Sequence, residues 1–292
     1  MFRRVNKIAV IGITYPQAMD YLDPYLHSLE NQTNKNFDLV IGNSGLKEID
    51  SFITKYKIKS HVIPVNGTIM QNRKILIDWA LSQGYEFVIS TDCDDYIALN
   101  RVEVCEKLLR KNQIVVNDLD IANERGKVLD QHYLNKRIKN NSKICSNDII
   151  NYNIMGLGNT SASTEVMSKI INTIGDTNVI ALDWLLWSQA LLDGCQAIFT
   201  SETSTIYRIH ISNTAGLPQK LDRPNVLKGI KVKRDHYRQL SEENERYNNL
   251  YLNFNKIHKR SADKSWLNDY IEKLIINKID YPFWWENIRI LK

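Results

Sequence analysis

The sequence predicts an α/β fold, a mostly parallel central sheet flanked by helices, with a helical extension toward its C-terminal end. Three observations predict it. From Lys7 to Ala80, short apolar runs without helical spacing alternate with segments whose apolar residues recur every three or four positions, the pattern of successive strand-helix units. The runs end in polar turns, which gathers polar side chains along one sheet edge, where open α/β sheets bind ligands. Past Leu217 the composition shifts to long charged segments with helical spacing.

Lys7 to Ile13 reads as a buried first strand, and Asp23-Pro24 opens a helix with Pro at its first position and Tyr25, Leu26 and Leu29 on one face. Phe37 to Ile41 is a second strand, ending in the turn Gly42-Asn43-Ser44-Gly45. A third, His61 to Val65, leads through Asn66-Gly67-Thr68 into a helix marked by Ile69, Leu76, Trp79 and Ala80. Asn72 and Arg73 sit in its first turns. A helix starting at this edge offers free N–H groups to a phosphate; Arg73 either adds a charge-assisted contact or lies on a solvated face.

The fourth strand, Tyr85 to Ser90, runs into Asp92-Cys93-Asp94-Asp95. Alternation along a continuing strand sends Asp92 and Asp94 to one side and Cys93 to the other. Two carboxylates aimed together repel unless a cation lies between them, most simply Mg2+ or Mn2+ shared with a phosphate. The triplet alone is weak, since Asp118-Leu119-Asp120 repeats it; before Asn123-Glu124-Arg125-Gly126, that copy reads as a polar strand end or turn.

A helix follows from Arg101 to Arg110, then a strand around Ile114 to Val116. Asn153 to Gly158 reads as another strand, and Asn159 to Thr164 as a loop beneath a substrate or the N-cap of a short helix to Ile171. Asp183 stands at the N-cap of the most apolar helix, which runs to Leu192 and stops at Gly194. As a cap it would contribute about 1 kcal/mol; if this segment supplies a catalytic base, Asp183 is the candidate, for no other ionisable group follows before Asp193. Gln196 to Thr200 is a strand, and in Tyr207-Arg208-Ile209-His210 alternation aims Arg208 and His210 at one place.

At 292 residues and 43% hydrophobic, the chain can bury a substantial core as one large α/β domain or two smaller ones. Its four cysteines form no Cys-x-x-Cys pair, which argues against a disulfide framework and zinc and favours a reducing, cytoplasmic setting. Met1-Phe2-Arg3-Arg4 has the character of a signal-peptide start, but the apolar run after it is too short, and no stretch approaches the ~20 apolar residues of a membrane span. The net charge of +5 suits phosphate-bearing substrates or an anionic membrane face. With no helix-turn-helix, zinc-finger or RNA-binding-sheet signature, nucleic acid is not an expected partner.

Taken in order, the segments from Lys7 to Gly216 resemble the family 2 glycosyltransferases, which use the GT-A fold, a Rossmann-like sheet, to move a sugar from a nucleotide-sugar to an acceptor. The resemblance rests on Ile11-Gly12-Ile13-Thr14-Tyr15, on Asn66-Gly67 with Asn72-Arg73, and on Asp92-Cys93-Asp94-Asp95. It rests also on Leu182-Asp183-Trp184 with Trp187 and Gly194, and on Tyr207-Arg208-Ile209-His210. It implies that Thr14, Asn43, Asn72, Arg73, Asp92 and Arg208 bind the nucleotide-sugar, with a UDP-sugar favoured. Asp94, His210 and Asp92 would hold Mn2+ or Mg2+, and Asp183 would be the general base of an inverting transfer. A glycan or lipid-linked acceptor and a role in bacterial surface glycan synthesis come with it. The chain departs from the family at Gly42-Asn43-Ser44, where an acidic pair usually reads the base, and at Leu182, where a Glu usually precedes the base. An inactive GT-A scaffold serving as an assembly partner is the alternative.

On this reading residues 1–217 are catalytic, divided into a nucleotide-binding part, 1–100, and an acceptor part, 101–217, with 218–292 as the extension. Lysines and arginines crowd Val226 to Lys256, Leu267, Ile271, Leu274 and Ile275 form a stripe, and Pro282 ends the last helix. Phe283-Trp284-Trp285, with Arg289 and Lys292 nearby, either docks on the catalytic part or a second subunit, or meets the inner face of a membrane.

Overall fold

The computed structural model describes residues 7–175, 177, 179–210, 213, 216–217 and 220–291; the expectations for Met1 to Arg4 and for Lys292 lie outside these. The strands are β1 (Ile8–Thr14), β2 (Phe37–Asn43), β3 (Ser60–Pro64), β4 (Phe87–Ser90), β5 (Tyr96–Ile97), β6 (Ile114–Ala122), β7 (Val128–Asp130), β8 (Lys143–Ile144), β9 (Thr160–Ser163) and β10 (Ala197–Arg208). The helices are α1 (Met19–Glu30), α2 (Ile49–Ile53), α3 (Ile69–Ser82), α4 (Arg101–Leu109), α5 (Thr164–Ile174), α6 (Leu182–Leu192), α7 (Arg223–Gln239), α8 (Glu245–Arg260) and α9 (Lys264–Ile276).

The strands join in one sheet in the order β3-β2-β1-β4-β9-β6-β10-β5, with β7 on β6 and β8 on β10. β3, β2, β1 and β4 run parallel, as do β6 and β10; β9 is antiparallel between the two sets. Alternation along β1 separates the two faces. Ile8 and Val10 pack with Leu22, Tyr25 and Leu26 of α1 and Val102 of α4, whereas Ala9 and Ile11 join Leu76 and Ala80 of α3. That second apolar cluster continues without a break through Trp184 and Trp187 of α6 to Ile230 of α7, Phe254 of α8 and Leu267 of α9.

Four local expectations are corrected. α1 begins at Met19, after a 3-10 turn at Pro16–Ala18, so Pro24 lies inside the helix. The missing N–H there costs one helical hydrogen bond, and the complete burial of Leu22, Tyr25, Leu26 and Leu29 offsets it. Asp118, expected at a strand end or turn, is inside β6, with Asp120 nearer that strand's end; Asp118 Oδ1 accepts the N–H groups of Leu119 and Leu134 at 2.8 and 2.9 Å. The stretch 153–158 is a loop, with one bridge between Asn153 and Trp284, and the strand is Thr160–Ser163. The segments around 197 and 207 are one strand, interrupted by a register shift between Thr200 and Ser204.

On α7, Lys233 is 1% exposed, and its Nζ donates to the Asn151 carbonyl at 2.6 Å. Burial holds this ammonium down at about 7. One turn on, His236 stacks on Trp184 with ring centroids 3.8 Å apart.

Candidate active site

The chain leaves β1 for β2 and β3 on one side and returns through α3 to β4 on the other, so the carboxyl ends of β1 and β4 flank a topological switch point. Open α/β sheets have their binding crevice at such a point, because the two connections diverge there. The residues that follow these strands, Tyr15 and Asp92 to Asp95, line a cavity of about 510 Å3. Asn72 and Arg73 of α3, Gly156 to Asn159 of the loop, Ile180 to Asp183 at the start of α6, and Trp284 and Trp285 complete its wall.

β4 ends at Ser90, and Asp92 to Asp95 form a turn closed by the Asp95 N–H on the Asp92 carbonyl at 3.1 Å. Cys93 does face away, into the core beside Tyr25, but a turn and not a strand puts it there. The three carboxylates have different company. Asp92 Oδ1 is 2.6 Å from Arg73 Nη2, and this guanidinium also donates to the Thr91 carbonyl. Arg73 is 5% exposed, so it belongs to the site and not to a solvated face. Asp94 Oδ2 lies 2.9 Å from His210 Nε2 and accepts from the Tyr15 hydroxyl at 3.4 Å. Asp95 is buried and accepts the Arg208 main-chain N–H at 2.7 Å; burial, with repulsion from Asp94 and Asp92, pushes its carboxyl well above the usual range.

Arg208 ends β10 and His210 lies two residues beyond, yet both converge on Asp94. Arg208 Nε donates to the Asp94 carbonyl at 2.7 Å and Nη1 to the Glu124 carbonyl at 2.9 Å, while the guanidinium stacks over Tyr21. Arg208 therefore braces the acidic turn from behind and is absent from the cavity wall.

Asp183 is the second residue of α6, not its N-cap, which is Ala181. Its Oδ1 accepts the Trp184 N–H at 2.8 Å, and Oδ2 accepts from Asn153 Nδ2 at 3.1 Å. Burial lifts the carboxyl to about 7; the Trp184 N–H and Asn153 oppose the rise and Asp92 adds to it. A carboxyl balanced there takes and releases protons near neutral pH.

Of the expected nucleotide ligands, Asn72, Arg73 and Asp92 line the cavity and Thr14 and Asn43 do not. Thr14 is buried at the end of β1. The Asn43 amide is taken by its own turn, donating to the Leu46 carbonyl and accepting the Leu46 N–H. Ser44 stands at the wall instead. Asn72 Oδ1 accepts the Gly67 N–H at 2.8 Å and fixes the entry to α3, whose Thr68 forms a capping box with Gln71.

Among the described residues no three His, Cys, Asp or Glu side chains are close enough to cage a metal ion. The Asp94 carboxylate, which lines the cavity, and the His210 imidazole, which does not, form an oxygen-nitrogen pair at 2.9 Å. The carboxylate suits Mg2+ or Mn2+ held by one or two side chains with the remaining positions filled by substrate phosphate and water, and the imidazole suits a transition ion better than Mg2+.

The sequence reading passed over Asn153, Gly156 and Gly158. A Cβ on Gly158 would fall 2.7 Å from Asp92 Oδ2, so the loop approaches the carboxylate as closely as a glycine allows. The paired glycines were the available signal. It also left open where the aromatic segment goes: Trp284 and Trp285 are 7% and 3% exposed and pack at the cavity wall.

Sheet order, switch-point crevice and acidic turn define the GT-A glycosyltransferase fold, and solved structures of that class superpose on the chain. The S. aureus TarS 1-349 structure in complex with UDP-GlcNAc matches at a TM-score of 0.63 and 18% identity, over 87% of this chain and 74% of that one. Mannosyltransferase PcManGT from Pyrobaculum calidifontis, in complex with GDP-Man and Mn2+, matches at 0.51 and 14%, over 81% and 64%. GalNAc-T7 with UDP, GalNAc and Mn2+ matches at 0.56 and 11%, over 96% and 59%. No protein-family model and no curated protein matches the sequence. No helix among the described residues is long and apolar enough to cross a membrane.

Proposed function

We propose that the chain is an inverting glycosyltransferase that moves a sugar from a nucleoside-diphosphate sugar, a UDP-sugar first among the candidates, to a hydroxyl of a glycan or lipid-linked acceptor. Bacterial surface glycan synthesis is the setting this chemistry suits. The observation that carries the reading is the cavity itself, where a carboxyl raised to about 7, Asp183, faces the acidic turn from a separate element. GT-A structures holding UDP-GlcNAc and GDP-Man support it.

In this reaction the acceptor oxygen attacks the anomeric carbon as its proton passes to an Asp183 carboxylate oxygen. The bond from that carbon to the diphosphate breaks, and the electron pair leaves with the diphosphate. One displacement inverts the configuration. Asn153 and the Trp184 N–H hold the Asp183 carboxylate in place, each leaving its oxygen a further lone pair for the proton. Arg73 and Asn72 at the start of α3 fix the donor end, and Arg208 keeps the acidic turn in shape. Asp94 and His210 would hold Mn2+ or Mg2+, which supplies positive charge to the departing diphosphate.

A thermal-shift panel of UDP, GDP, CDP, dTDP and CMP, each with and without Mn2+, tests the reading. Ligand at ~100 times its dissociation constant adds about 2.7 kcal/mol. One nucleotide should stabilise the chain only with Mn2+, and Asp94→Asn should abolish that increment together with turnover. Stabilisation by no nucleotide would leave an inactive scaffold as the better account.

A further inference from the structure

The segment Pro282 to Asn287 forms one side of the cavity although it lies far along the chain from the other catalytic elements, and the structure invests heavily in fixing it. Arg137 pairs bidentately with Glu286 at 2.5 and 2.8 Å and stacks over Phe283. The Tyr133 hydroxyl donates to the Pro282 carbonyl at 2.9 Å, and the Phe283 N–H donates to Glu286 at 2.9 Å. Tyr281 and Trp285 are held at φ of 49° and 66°, the left-handed region that side chains avoid. Such strain persists only where the surroundings over-determine the backbone.

What this framework presents to the cavity is the edges of two indoles, whose rings are otherwise packed against the protein. Trp284 meets Tyr207 edge to face at 5.7 Å, and its carbonyl accepts the Asn153 main-chain N–H at 3.0 Å. Gly156 shows how close this aromatic rim is to the candidate base. A Cβ there would lie 3.5 Å from Trp284 Cη2 and 3.8 Å from Asp183 Oδ2. The absent side chain thus leaves a gap between indole edge and carboxylate. The neighbouring wall, Ile180, Ala181 and Leu182, is apolar, whereas the charged groups Arg73, Asp92 and Asp94 belong to α3 and the acidic turn.

From this we propose that Trp284 and Trp285 wall the acceptor subsite, taking a carbohydrate ring whose C–H groups meet the exposed indole edges while a ring hydroxyl reaches Asp183. A sugar has apolar faces and a polar rim, and an aromatic wall beside a carboxylate matches both. The proposal rests on the glycosyl-transfer reading and narrows its acceptor from glycan or lipid to a glycan. It makes the tail a determinant of specificity, with Asn153 as the positioning residue that joins it to Asp183.

The test uses the full chain with octyl β-glucoside, octyl β-galactoside and octyl β-N-acetylglucosaminide as probes, observed by saturation-transfer NMR with and without UDP and Mn2+. For at least one glycoside, saturation should reach the ring C–H protons. Trp285→Leu, and separately Trp284→Phe, should weaken that glycoside at least tenfold while the thermal shift with UDP and Mn2+ stays as in the parent. Saturation confined to the octyl chain, unchanged affinity in folded variants, or no binding of any glycoside would each overturn the proposal. Absence of a UDP shift in the parent would count against the nucleotide-sugar reading alone, because the glycosides are also titrated without nucleotide.

Discussion

Asn153 holds Asp183 with its side chain and Trp284 with its main chain: Nδ2 lies 3.1 Å from Asp183 Oδ2, and the N–H 3.0 Å from the Trp284 carbonyl. One residue thereby ties the candidate base to the aromatic wall beside it. Removing the amide, as in Asn153→Ala, takes a donor from the ionised form of Asp183 and so raises its pKa. The ascending limb of the pH-rate profile should move upward from about 7, with kcat at pH 7 falling about tenfold. An unmoved limb with reduced kcat would mean that Asn153 supports the loop alone.

Asp183→Asn should keep the fold and lose at least ~100-fold in transfer, the ordinary scale for a removed base. It should also change stability. The folded carboxyl is raised to about 7 from an ordinary value of 3.8. Between those pH values the folded chain therefore binds the proton more tightly than the unfolded one, and stability falls as pH rises through this window. Above pH 7 the whole cost is present, so the asparagine variant should be more stable at pH 8 by about 1–2 kcal/mol. Thermal melts at pH 5 and pH 8 check this; an equal difference at both would dissociate the stability effect from ionisation.

Lys233 works in the opposite sense. Its folded pKa is lowered to about 7 from 10.5, so between these values the unfolded chain binds the extra proton and stability rises with pH. Below pH 7 the buried ammonium exerts its full cost. Lys233→Met, similar in length and uncharged, should gain about 1 kcal/mol at pH 6 and lose the slope between pH 7 and 10. A less stable variant at pH 6 would show that the bond to the Asn151 carbonyl outweighs the desolvation.

Gly158→Ala probes the close approach to Asp92. A methyl 2.7 Å from Oδ2 forces the carboxylate or the loop to move, and the pairing of Asp92 with Arg73 moves with it. The expected result is at least a tenfold loss of nucleotide affinity with a melting temperature within a few degrees of the parent. Unchanged affinity, measured by calorimetry with the nucleotide that binds the parent, would show that this side of Asp92 is remote from the donor.

The parallel strands and the position of the acidic cluster after the fourth of them were legible in the sequence because apolar runs are local signals; that the cluster is a turn and not a continuing strand was not. The loop at 153–158 was not, since its asparagines bond to nearby main chain where a strand would offer a ladder. Asn153 Oδ1 takes the Met155 N–H at 2.9 Å and Asn159 Oδ1 takes the Gly156 N–H at 2.7 Å. Pro24 misled for a related reason: local chemistry places a helix start there, and tertiary burial overrides it. In the candidate site, Asp92, Asp94 and Asp183 share a cavity, a grouping that the family resemblance implied and their residue types alone did not. Thr14, Asn43 and Arg208 turn their side chains to packing, capping and bracing, which only the neighbours they meet could reveal. The place of Trp284 depends on partners more than a hundred residues away and has no local signature.

That separation sets a sequence of events. Arg137 and Glu286 stand 149 residues apart, and closing such a loop costs about 4 kcal/mol of chain entropy, recovered only when the intervening chain is already folded. The cavity wall at Trp284 is therefore expected to close after the sheet has formed. Native-state hydrogen exchange should find amides near Phe283 opening at lower free energy than those of β1, the signature of a form with its sheet intact and its cavity open on one side.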